Sequence, residues 1–433
     1  MQEKATVLKI TRSLTWVFAG NTATAAAQWG IVVILTRFSG PDVLGAYVLG
    51  LSIASVAFAL TNLELRTLFV TDQTRLTPFA TYLKLRATTG LATLLILVFL
   101  AWVLPEMRGQ QMRVAIVAVA LVKGLDGISD IIYAQLQSRE TMTSIGQSQL
   151  AKALLSLCFL GIALAFLQNQ MWTIGALVVP SAFVLLFHDL PTLRTSSSST
   201  SPELNWRTTL KQVGSLVQTG IPFAIVTTMV MLHAALPRFV VASSMGKAEA
   251  GIMGALTYAA IAPNLLMVAL GQSSVTTLVQ SLEDNDRKEF QAGVFRLLAV
   301  AIALGFVTLL SGFFLGERIL HLLYGPQFLD HEKELLVFLG ASAVGYVNTA
   351  LGYGLSSSRV FAAQIPMMAS VCLICLAASL ILVPRWGLIG AAAAQLTSMT
   401  AQLLLSGAML ARVAKCRFYP SYGELSRNYA SRN

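Results

Sequence analysis

"LTRFSGPDVLGAY" occupies residues 35–47, and "LPRFVVASSMGKAEAGIM" runs from Leu236 to Met253. Both stretches carry L-x-R-F, a short gap and then G-x-x-x-x-G. Arg37 answers to Arg238, Gly40 to Gly246 and Gly45 to Gly251. Each copy closes one apolar run, makes a polar turn and opens the next run. One phrase written twice in the same setting is the signature of an internal repeat.

The runs around it set the solvent. The chain is 55% hydrophobic and only 12% charged, with net charge +10 over 433 residues and mean hydropathy +0.70. A soluble chain carries roughly twice that charged fraction. The apolar residues fall in about twelve runs: 13–36, 43–64, 85–104, 113–137, 148–168, 171–190, 213–235, 250–275, 293–315, 334–357, 361–384 and 387–411. Runs of about 20 residues are what a helix needs to cross ~30 Å of hydrocarbon. Inside a bilayer only helices or a closed barrel satisfy every backbone group, and runs this long exclude the ten-residue alternating strands of a barrel. The expected fold is an all-α polytopic membrane protein of about twelve transmembrane helices.

The basic residues orient it. With alternate loops assigned to the cytoplasm from the N-terminus onward, eight of the 30 lysines and arginines lie outside and one, Lys123, lies within a span. The remaining 21 lie inside, which places both termini in the cytoplasm. The +10 charge is therefore a topology signal, and no compact basic domain exists to bind nucleic acid. The N-terminal apolar stretch followed by "ATAAA" imitates a signal peptide, but it continues through "WGIVVIL" and is expected to be a first span. Cys158, Cys372 and Cys375 fall in spans and Cys416 in the cytoplasmic tail, settings that do not favour disulfides.

The Ser-rich interruption "TLRTSSSSTSPELNWRTTLKQ", 192–212, reads as a linker. It divides the chain into an N-terminal six-helix lobe, 1–191, and a C-terminal six-helix lobe with a short basic tail, 213–433. With six spans per half, both copies of the repeated phrase cross the membrane in the same sense. The lobes are then parallel repeats about a central cavity.

Polar residues within spans show what that cavity handles. In "VALVKGLDGISDIIYAQLQ", Lys123, Asp126, Asp130, Tyr133 and Gln137 fall in one helical stripe about 80° wide. A charge at the bilayer centre costs ~3 kcal/mol on the insertion scale, so the stripe faces either a wet cavity or neutralising partners. A Lys123–Asp126 pair locking helices together is the structural alternative. Asn21, Thr24 and Gln28 form a softer stripe in the first span, equally suited to lining a cleft or to joining helices. Arg66 stands near the inner surface, as a phosphate contact or a topological anchor. Arg37 and Arg238 flank the outer turns, where a guanidinium suits bidentate phosphate binding.

Soluble chemistry is missing from the pattern. There is no G-x-x-x-x-G-K-[ST], no metal-binding His cluster and no G-x-S-x-G elbow. A transporter rather than an enzyme is expected, without a cofactor or metal, and the residues leave open H+ or Na+ as a coupling ion.

Five segments together resemble a known family. They are "LTRFSGPDVLGAYVLGLSIASVAFAL", "NLELRTLFVTDQ", "KGLDGISDIIYAQLQSRETMTSIGQS", "LPRFVVASSMGKAEAGIMGAL" and "LLYGPQF". They are similar to the bacterial polysaccharide (O-antigen-type) flippases of the multidrug/oligosaccharidyl-lipid/polysaccharide exporter superfamily, from about residue 9 to 411. The resemblance implies two six-helix lobes around a V-shaped cavity, alternating access and an inner-membrane location. It implies a lipid-linked oligosaccharide substrate, a sugar repeat unit on a polyprenyl pyrophosphate, for O-antigen, capsule or exopolysaccharide. A polysaccharide polymerase and glycosyltransferases would be partners, alongside membrane lipids. The family's cationic head-group contacts carry over to Arg37 and Arg238. Two aspartates beside one lysine in the fourth span depart from that picture and make the local patch acidic. A cation-coupled small-molecule antiporter and a membrane-embedded polymerase or transferase remain the alternatives.

Overall fold

The computed structural model describes residues 2–72, 77–104, 109–139, 141–167, 171–196, 206–358 and 360–418. Among them every regular element is a helix. The chain forms two compact units, Met1–Tyr258 and Ala259–Asn433.

The first unit contains α1 (Gln2–Phe38), α2 (Gly40–Asn62), α3 (Leu65–Thr71), α4 (Phe79–Val103), α5 (Gln110–Ser138) and α6 (Met142–Phe166). There follow α7 (Met171–Gly175), α8 (Val178–Val184), a π-helical turn (Leu185–Asp189), α9 (Leu190–Ser196), α10 (Trp206–Met245) and α11 (Lys247–Tyr258). The second unit contains α12 (Ile261–Glu283), α13 (Arg287–Tyr324), a 3-10 turn (Pro326–His331), α14 (Glu332–Ser357) and α15 (Phe361–Phe418). Ten stretches of the described residues are long and apolar enough to cross a membrane. Helix α5 is outside that set because of its charged stripe, and α15 supplies two crossings, since at Gly387 its backbone leaves the helix (φ 58, ψ −132). The twelve expected crossings are accounted for in this way.

Three local departures from the apolar pattern have physical causes. The second run does not continue as one helix. Leu63 (φ 51) and Glu64 (φ 48) both adopt the left-handed conformation and separate α2 from α3. The eighth run, 250–275, breaks between α11 and α12, where the two units meet in sequence. The Ser-rich linker is shorter than composition suggests. Helix α9 reaches Ser196 and α10 begins at Trp206, so 192–196 and 206–212 are helical, while 197–205 lie outside the described residues.

Helix α2 is the centre of the first unit, packed by α4, α5, α10 and α11. Lipid supplies no hydrophobic drive for helices to associate, so close approach through small residues takes over. The repeated phrase provides it. Gly40 (φ 81) and Gly246 (φ 103) each make the tight turn between helices, in a region that side chains disfavour. The second glycines then meet. A Cβ on Gly251 would lie 2.7 Å from the Gly45 nitrogen, and one on Gly45 would collide with the Lys247 carbonyl. The two copies of the motif therefore pack against each other, joining α2 to α11. The second unit has its own core, in which Phe290, Tyr346, Leu351 and Leu410 are buried among α12–α15. The Asn348 amide there donates to the Met399 carbonyl at 2.8 Å.

Candidate functional site

The polar stripe of α5 is matched by cations from three other helices. Asp126 accepts from Lys152 Nζ of α6 at 2.8 Å and from Ser181 of α8 at 3.3 Å. Lys152 also reaches Ser129 at 3.3 Å. One turn further on, Asp130 sits between two arginines. Arg66 Nη1 of α3 lies 2.9 Å from its Oδ1, and Arg86 Nη2 of α4 lies 3.6 Å from its Oδ2. Arg66 also donates to Gln137 Oε1 at 3.1 Å and lies over the Tyr133 ring. Four of the five stripe residues thus have partners on neighbouring helices, and the Arg66 contacts are held by the break at Leu63–Glu64, which directs α3 against α5.

Lys123 is half-buried and makes no hydrogen bond or ion pair within the described residues. The structural alternative, a Lys123–Asp126 pair, is not formed; Asp126 pairs with Lys152 at 2.8 Å. The acidic reading of the patch is also overturned. Arg66, Arg86, Lys123 and Lys152 balance Asp126, Asp130, Glu64 and Asp189, so the cluster is not acidic, and at Asp130 two arginines share one carboxylate. Spacing along one helix showed the acids, and the counter-charges come from other helices.

Arg86 and Lys152 are among the 21 cations that the alternating-loop pattern places inside. Arg86 is in fact 5% exposed, with its Nε donating to the Gly127 carbonyl at 3.0 Å. Their depth is the available signal. Arg86 lies about two turns into α4 and Lys152 nearly three turns into α6, too far for a simple end anchor. Tyr133 extends the network on its other side, through Ser148 at 2.6 Å to the fully buried Asp189 at 2.6 Å.

The remaining candidates lie apart from this cluster. Asn21 of α1 accepts from Gln149 of α6 at 3.1 Å, which is the helix-joining alternative. Gln28 is half-buried with no hydrogen bond within the described residues. Arg37 is exposed. Arg238 is not its equivalent. It is half-buried on α10, donating to Ser52 of α2 and Thr257 of α11, each at 3.3 Å. The repeat thus places its two arginines in different surroundings. Replacing Arg238 with alanine should lower the stability of detergent-solubilised protein by about 1.5 kcal/mol, the worth of its charge-assisted contacts. Arg37→Ala should cost under about 0.5 kcal/mol. Thermal unfolding of the two variants side by side measures the difference, and equal shifts would contradict it.

A cavity of about 510 Å³ opens on α3, α4 and α10, with Thr71, Asp72, Tyr82, Lys211 and Ser215 among its lining.

Comparison with known proteins agrees with this architecture. A family model described as polysaccharide biosynthesis protein matches residues 34–333. The capsular polysaccharide biosynthesis protein CapF of Staphylococcus aureus is 23% identical over 393 residues, covering 88% of this chain and 94% of CapF. Among solved structures, the lipid II flippase MurJ in an inward closed conformation has a TM-score of 0.72 at 12% identity. That match covers 92% of this chain and 89% of MurJ. An inward-facing multidrug resistance MATE family transporter of the MOP superfamily has a TM-score of 0.69 at 10% identity, covering 90% of this chain and 96% of the transporter. At those identities the structures establish the fold, that of multi-pass transporters and flippases. The match across 34–333 establishes the family: the chain belongs to the polysaccharide biosynthesis proteins, as a multi-pass membrane member.

Proposed function

We propose that this protein flips a polyprenyl-pyrophosphate-linked oligosaccharide across the bacterial inner membrane by alternating access, for assembly of a surface polysaccharide. Both termini are then cytoplasmic, as the basic residues indicate. The observation that carries the proposal is the part-exposed guanidinium of Arg66, one of two arginines that share the single carboxylate of Asp130. A pyrophosphate cannot shed its water into hydrocarbon unaided. A guanidinium that is 32% exposed and shared with one carboxylate offers it a replacement. A carrier of cationic drugs would present a free acid, whereas Asp126 and Asp130 are engaged by cations and Glu64 accepts from the Thr67 and Thr227 hydroxyls. No covalent bond changes in this reading. Cytoplasmic glycosyltransferases supply the loaded lipid, and a polymerase consumes the flipped repeat unit.

The test is Arg66→Ala in proteoliposomes loaded with polyprenyl-pyrophosphate-linked sugar. Losing one charge-assisted contact, roughly 1.5–3 kcal/mol, should lower apparent affinity for the lipid about ten- to a hundredfold. Arg66→Lys should recover part of it, since it keeps the charge but not the planar fork. Wild-type flipping by correctly inserted Arg66→Ala at limiting substrate would overturn the assignment.

A further inference from the structure

We propose that Arg86 is a positioning residue that lets Arg66 leave Asp130 for an anionic ligand. The inference rests on the reading of Arg66 as a head-group contact and adds how that contact is released. Asp130 has two cationic neighbours with unlike freedom. Arg86 is held in place: its side chain is 6% exposed, and its Nε is bonded to the Gly127 carbonyl. The absence of a side chain at Gly127 makes that possible, since a Cβ there would stand 3.0 Å from Arg86 Nε. Arg66 is less enclosed, at 32% exposure, and its other contacts are a neutral amide and an aromatic face.

The asymmetry has an energetic meaning. If Arg66 were the sole partner of Asp130, drawing it to a ligand would leave that carboxylate, 37% exposed, without a counter-charge, at a penalty that its exposure reduces but does not remove. Arg86 removes that penalty, because Asp130 keeps a cation when Arg66 departs. Arg86 Nη1 is buried and has no hydrogen-bond partner, so it has donor capacity left to take up the vacated carboxylate oxygen. The trio therefore stores Arg66 in a partly satisfied state from which a diphosphate can take it.

Binding of farnesyl diphosphate, a soluble isoprenyl diphosphate, to purified full-length protein in detergent tests this. Arg86→Gln should weaken binding about tenfold, because Arg66 is then the only counter-charge to Asp130. Adding Asp130→Asn to that variant should restore affinity to within about threefold of wild type, since no carboxylate remains to hold Arg66. Arg86→Lys, which keeps the charge, should also stay within about threefold of wild type. A purely structural Arg86 predicts the reverse, with the double variant as weak as Arg86→Gln or weaker. Failure of that rescue, or wild-type binding by Arg86→Gln, overturns the inference. Arg66→Ala is the separate control. If it binds as wild type, the head-group reading of Arg66 itself has failed. Each variant is checked for a monodisperse elution profile, so that loss of binding is not loss of fold.

Discussion

Oxidation of a protein carrying Val48→Cys and Gly254→Cys is expected to join α2 to α11 and bring transport to background, with recovery on reduction. A Cβ at Gly254 stands 3.3 Å from the Val48 Cβ, close to the roughly 3.5–4.5 Å span of a disulfide. The pair lies along the same crossing as Gly45 and Gly251, near the end of the bundle that the basic residues assign to the outside. The proposed alternating access requires that end to open, and α2 cannot separate from α11 while covalently tied. The four native cysteines, Cys158, Cys372, Cys375 and Cys416, would first be replaced. Val48→Cys alone should transport under oxidising conditions and, with the reduced double variant, serves as control, since a Cβ at Gly254 beside an intact Val48 would stand 2.7 Å from its Cγ2. Undiminished transport by a fully cross-linked protein would mean that the glycine crossing is static and the moving parts lie elsewhere.

Asp126→Ala should lower stability in detergent by about 2 kcal/mol. Removing one member of a buried ion pair costs about 3–5 kcal/mol, and the lower figure follows because the Asp126 side chain is 39% exposed. Lys152, at 16% exposure, would be left with Ser129 alone among its hydrogen-bond partners. Joint replacement, Asp126→Leu with Lys152→Met, removes the stranded charge and should return stability to within about 1 kcal/mol of wild type. Thermal unfolding of the single and double variants measures both effects. A double variant no more stable than Asp126→Ala would show that the pair is not the source of the loss.

The apolar runs made the membrane class legible because span length is imposed by the bilayer, not by neighbouring helices. The α5 stripe was legible for a related reason: helical periodicity places Asp126, Asp130, Tyr133 and Gln137 together without any knowledge of packing. What periodicity cannot supply is the partner across the gap. Arg86 and Lys152 look like inner-surface charges until α4 and α6 are laid beside α5. The repeated motif was visible as two similar strings, yet likeness in sequence suggested two equivalent arginines. Tertiary contacts made them different, since α2 and α11 supply hydroxyls to Arg238 and Arg37 is exposed. The left-handed pair Leu63–Glu64 carries no glycine to announce it, so the division of the second run could not be read from composition.

Gly387 bears on how the protein is made. The arms of α15 on either side of it run back along each other, with Ser406 Oγ 3.6 Å from Met367 Sδ. The turn is so tight that a Cβ at Gly390 would collide with the Leu382 carbonyl. The last two crossings therefore have no connecting loop, a geometry suited to entering the bilayer as a single hairpin during biogenesis. Such a turn gives a protease no extended substrate and a genetic fusion no tolerant insertion point. A bulky side chain at position 387 would strain this turn, whose φ of 58 suits glycine, and is expected to lower the amount of protein in the membrane before it changes transport per molecule.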